Sequence, residues 1–137
     1  MRIYFAGSIR GGCQDAALYH DIVRLLQKHG EVLTEHVADA ELRVLGQDIG
    51  DCKIHDRDLD WLKKSDYLVA EVTTPSLGVG YEIGKATEWG KPVLCLYRQE
   101  NGRSLSAMIS GCKAATVRTY QSPAELTGIL EEFFQDN

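Results

Sequence analysis

Five short apolar runs, over residues 3–6, 32–34, 67–72, 93–97 and 115–119, alternate with stretches whose apolar residues recur at helical spacing. A strand with no polar face belongs in a sheet covered on both sides, and joining parallel strands requires a crossover that is usually a helix. The alternation therefore predicts an α/β fold: one doubly wound domain over residues 1–137, with a five-stranded, mainly parallel sheet of Rossmann or flavodoxin-like kind and helices on both faces. Helices are expected over 15–28, 53–64, 79–89, 104–109 and 123–134. Gly30 and Gly90 stand where the first and third should end, and Pro123 stands at the start of the last. The stretch from Ala38 to Cys52 is the least periodic and reads as a long loop or short helix.

A chain of 137 residues can bury about two-thirds of its unfolded surface without disulfides or metal. Its 44% hydrophobic and 26% charged residues are the balance of a globular domain rather than a disordered one. The formal net charge of −5 disfavours a nucleic-acid polymer as partner, because phosphate neutralisation needs clustered Lys and Arg. The apolar start MRIYFAG is too short for a signal sequence or a membrane span, so a cytoplasmic protein is expected, with the nucleus open in a eukaryote. Cys13, Cys52, Cys95 and Cys112 form no CxxC pair and read as reduced thiols. Neither a metal nor a cofactor is expected.

Charge chemistry concentrates in two predicted helices. With Ile54 placed at zero and about 100° per residue, Asp58 falls near 40°, among Trp61, Leu62 and Ser65, whereas Asp56 and Asp60 fall near 200° and 240°. Asp58 thus points inward, and a buried carboxylate needs a partner or a task. On the next helix Glu82 lies in the sector of Ala86 and Trp89, beside the Val79–Ile83 stripe. Its place in the first turn, behind the small-residue loop PSLGVG, favours the ionised form through the helix dipole. One ionised and one protonated carboxylate are what cleavage of a glycosidic bond uses. Glu71, at the end of the third apolar run, is a rival, although a strand-end Glu is commonly satisfied by a neighbouring loop.

The first strand leads into GSIRGG, residues 7–12, where glycines permit close backbone approach to an anion and Arg10 can fork onto phosphate oxygens. Its spacing matches neither a P-loop nor GxGxxG. Tyr4 lies just ahead of this loop, and His36 follows the second strand, near where a switch-point ligand would sit.

Taken together, IYFAGSIRGG, VLTEHVA, IHDRDLDWL, VAEVTTPSLGVGYEIG and LSAMISG closely resemble the 2′-deoxynucleoside 5′-phosphate N-hydrolases of the nucleoside 2-deoxyribosyltransferase superfamily. The resemblance covers nearly the whole chain and implies hydrolysis of a deoxynucleoside 5′-monophosphate to free base and 2-deoxyribose 5-phosphate. It implies Glu82 as nucleophile, Asp58 as acid/base partner and Tyr4 as the hydroxyl that orients the nucleophile. Phosphate and sugar contacts are implied for Gly7, Ile9, Arg10, Gly11, Ser76 and Gly78, with His36 near the base. Ser106 corresponds to a residue reaching into a neighbouring subunit's site, which implies a homodimer. Ser110 stands where the family pattern carries a basic residue. A retaining double displacement would set the two carboxyl groups about 5 Å apart. The rival readings are a deoxyribosyltransferase, a ribonucleotide N-glycosidase of the CMP type, and a non-catalytic nucleotide-binding module.

Overall fold

The computed structural model of the protein describes residues 1–9, 15–34, 49–100 and 102–137. Five parallel strands form one sheet: β1 (Arg2–Gly7), β2 (Glu31–Val32), β3 (Tyr67–Glu71), β4 (Val93–Arg98) and β5 (Thr116–Tyr120), in the order β2-β1-β3-β4-β5. The helices are α1 (Ala16–Gln27), α2 (Asp51–Lys64), α3 (Leu77–Glu88), the single turn α4 (Ala107–Ser110) and α5 (Leu126–Asp136). The expected fold class is therefore the one observed.

Alternation along the strands divides the core in two. Ile3, Phe5, Val69, Leu94 and Leu96 pack with α1 and α5 on one face. Tyr4, Ala6, Leu68, Ala70 and Cys95 pack with Leu62 of α2 and with Val79, Ile83 and Ala86 of α3 on the other. The chain leaves β1 for one edge and returns past it to β3, so the loops after these two neighbouring strands part at their carboxyl ends. That switch point is where such sheets bind ligands.

Several element boundaries differ from expectation for local reasons. β2 stops at Val32 because Thr34, expected within the strand, uses its side chain instead: its hydroxyl accepts from Phe5 N at 2.8 Å and donates to Phe5 O at 2.7 Å. α3 starts at Leu77, two residues early, because Ser76 caps it by accepting from Val79 N at 3.3 Å. Ser106 likewise accepts from Met108 N at 3.3 Å, so α4 begins at Ala107 and not at 104. Ahead of α5 a capping box closes on Ser122 and Glu125, with Pro123 in the first turn. Gly90 ends the α3 region at φ +70°, the left-handed conformation that favours glycine. Most of the aperiodic stretch from Ala38 to Cys52 lies outside the described residues.

No described helix is long and apolar enough to cross a membrane. Among the described residues Cys52, Cys95 and Cys112 are free thiols.

Candidate active site

Tyr4 is 2% exposed and stands in the middle of the face that α2 and α3 cover. Asp58 comes to it from the middle of α2 and Glu82 from the second turn of α3. The three groups act on one another: burial first, then the charges of Glu82 and Asp58, push the Tyr4 phenol well above its usual range, which keeps it a hydrogen-bond donor, and it donates to Glu82. Asp58, Glu82 and Gly78 line a cleft of roughly 240 Å³ between the two helices, whose walls also include Ile54, His55 and Tyr81.

The electrostatics of Glu82 differ from the expectation. Burial first, and the charge of Asp58 second, raise its carboxyl from 4.5 to about 7, and the Tyr4 hydrogen bond only partly opposes them. The helix dipole contributes about 0.3–1 kcal/mol near an exposed terminus, less than the cost of desolvating a carboxylate. Asp58 has its own counter-charge, since Arg57 Nε and Nη2 both lie 2.9 Å from Asp58 Oδ1. The Arg57 guanidinium also lies over the Trp61 ring, 4.8 Å from its centroid. Near neutral pH Glu82 is therefore a carboxyl group poised between its two states, beside an Asp58 that is held by the Arg57 guanidinium.

Glu71 belongs elsewhere. It shares the parity of Val69, so its side chain is on the α1 and α5 face, opposite Tyr4. At 2% exposure it accepts hydrogen bonds from Thr73 N at 2.7 Å and from the Tyr120 hydroxyl. Burial raises its carboxyl and these bonds oppose the rise. It ties the end of β3 to β5, which excludes it from the cleft.

Gly7 ends β1, and a Cβ there would come within 2.8 Å of the Tyr19 ring, so packing by itself demands glycine. Ile9 follows as an exposed residue. Ser76 and Ser106 do not line the Asp58–Glu82 cleft; together they line a second cavity of roughly 520 Å³, with Leu77, Val79, Met108 and Ile109. Arg10, Gly11 and His36 lie outside the described residues.

Three residues of the cleft region were not singled out by the sequence reading: His55, Tyr81 and Arg57. His55 Nε2 lies 3.1 Å from the Tyr81 hydroxyl, which joins α2 to α3, and His55 Nδ1 lies 2.9 Å from Asp56 Oδ1. The available signal was adjacency, because Tyr81 precedes Glu82 and His55 stands one helical turn before Asp58.

Comparison with known proteins places the chain in a family. The sequence profile described as nucleoside 2-deoxyribosyltransferase matches residues 3–125. A 5-hydroxymethyl-dUMP N-hydrolase of Mus musculus is 61% identical over 97% of this chain and 79% of its own length. The Esox lucius protein of the same name is 54% identical over 98% of this chain and 97% of its own. The Homo sapiens protein of that name is 49% identical over 97% and 79%. A solved Clostridium botulinum CMP N-glycosidase shares the fold at TM-score 0.66, with 19% identity and coverage of 96% of this chain and 99% of that one. With a profile match along most of its length and relatives at this level of identity, the chain belongs to the nucleoside 2-deoxyribosyltransferase family.

Proposed function

We propose that the protein hydrolyses the N-glycosidic bond of 2′-deoxynucleoside 5′-monophosphates, 5-hydroxymethyl-dUMP among them, releasing free base and 2-deoxyribose 5-phosphate. The observation that carries this reading is the cluster of Tyr4, Asp58 and Glu82, two carboxyl groups close enough to perturb one another beside a buried phenol. Glu82, once ionised, attacks C1′ and forms a deoxyribosyl ester while Asp58 gives its proton to the departing base. Asp58 then takes a proton from water, which breaks the ester and restores Glu82. The pair carries one proton, which the burial of Glu82 favours there and which bond cleavage needs on Asp58, so it passes from Glu82 to Asp58 before attack, and the Tyr4 hydroxyl stabilises the charge left on Glu82.

Substrate phosphate and sugar lie against Gly7, Ile9, Arg10, Gly11, Ser76 and Gly78, with His36 near the base. Ser106 comes from a second copy, so that the working unit is a homodimer in the cytoplasm. Support for a covering partner lies in Leu77 and Met108, exposed at 97% and 83% beside Ser76 and Ser106. Isolated large apolar side chains are ordinary on a surface, whereas adjoining ones mark a contact face.

Base release from a panel of deoxy- and ribonucleoside 5′-monophosphates, with and without an acceptor base, tests the reading. Release from deoxynucleotides that needs no acceptor is expected, together with loss of nearly all turnover in Glu82→Ala. Sugar transfer to the acceptor in place of hydrolysis would identify a deoxyribosyltransferase, the activity in the family's own description. Binding without cleavage would overturn both.

A further inference from the structure

The reaction above uses Tyr4, Asp58 and Glu82, yet the same cleft holds a second polar assembly with no part in bond cleavage. His55 and Tyr81 line it from opposite helices, their rings 5.7 Å apart between centroids and tilted by 54°. Both are about half exposed, so a ligand entering the cleft meets them. The donor directions follow from the neighbours. The Asp56 carboxylate can only accept, so the imidazole gives it the Nδ1 proton, and a neutral ring then presents Nε2 as an acceptor. With the ring neutral, Tyr81 donates its hydroxyl proton to Nε2 across 3.1 Å. Its oxygen lone pairs remain available. Lys85, with Nζ 5.8 Å from the Tyr81 ring centroid, steadies the ring as well.

The position of the base follows from the proposed chemistry. The leaving nitrogen must reach Asp58, so the base lies along α2, whose preceding turn places Ile54 and His55 in the cleft wall. We propose that Tyr81, oriented by His55, is a specificity residue whose phenolic oxygen accepts a hydrogen bond from a donor group on the base, such as the hydroxyl of a 5-hydroxymethyl pyrimidine. This rests on the proposed hydrolysis. A base that presents a methyl group there leaves the oxygen without its partner, and a site built around a polar contact discriminates against the analogue that lacks it.

The test compares kcat/KM for 5-hydroxymethyl-dUMP and for dTMP, which differ by one hydroxyl, in the wild-type protein, Tyr81→Phe and His55→Leu. Tyr81→Phe is expected to lower the ratio of the two values by tenfold or more, and His55→Leu to lower it in the same direction. Binding of 2-deoxyribose 5-phosphate, which carries no base, is measured alongside, and an unchanged Kd shows that the rest of the site is intact. A ratio within threefold of wild type in Tyr81→Phe overturns the inference while hydrolysis stands. An equal fall on both substrates does so too, because it means that the pair only sets the spacing of α2 and α3. A wild-type protein that cleaves neither nucleotide overturns the hydrolytic reading itself.

Discussion

Glu82 shows how one side chain can carry opposite demands. Its carboxyl ionises at about 7 when folded against 4.5 for an ordinary glutamate, so below pH 4.5 it is protonated in both states. Between those values the unfolded chain loses the proton first, and stability falls as pH rises, by at most about 3 kcal/mol. Glu82→Gln should therefore gain about 1–3 kcal/mol at pH 8 and almost nothing at pH 4, read from denaturant midpoints at the two pH values. Asp58→Asn removes the second cause of the shift, so carboxyl NMR should place the Glu82 midpoint clearly below its wild-type value near 7. An unmoved midpoint would mean that the two groups do not interact. The wheel positions of Asp58 and Glu82 were legible because 100° per residue is a property of the backbone. The ionisation of Glu82 was not, because desolvation depends on what the rest of the fold lays over it. The roles of Arg57 and His55 were not legible for a similar reason: their partners are set by local side-chain packing, which spacing does not encode.

Elements begin and end here on side chains of a few kinds. Ser76 caps α3 while standing at the rim of the cavity it shares with Ser106. Ser76→Ala should cost about 1 kcal/mol in stability. On the proposed function it should also raise KM for the nucleotide more than it lowers kcat, a split that a purely structural role would not produce. Thr34→Val keeps the shape but strips both Phe5 backbone groups of their buried partner, with an expected loss of about 1–3 kcal/mol in chemical denaturation. The existence and kind of each described strand and helix were legible from periodicity. Boundaries shifted where a hydroxyl replaced a backbone partner, as at Thr34 and Ser106, since the same residue types also serve inside strands and loops.

At the scale of the molecule, the exposed Leu77 and Met108 lie along the groove that Ser76 and Ser106 share. If a second copy covers this groove, Leu77→Glu with Met108→Glu should convert a dimer into a monomer in sedimentation and lower turnover at least tenfold. The same monomeric mass for wild type and variant would remove the homodimer. By itself the sequence determined the α/β class, the parallel sheet and the inward aspect of two acidic side chains, because these follow from apolar period, chain punctuation and backbone geometry. Tertiary structure alone decided that Glu71 faces away from the cleft, that Ser76 and Ser106 share a cavity apart from Asp58 and Glu82, and that Tyr4 meets Asp58 as well as Glu82. The physical reason is strand register and order. A side chain's face of the sheet is fixed by parity within its strand, but which strands become neighbours, and so which side chains meet, is settled only when distant segments pair.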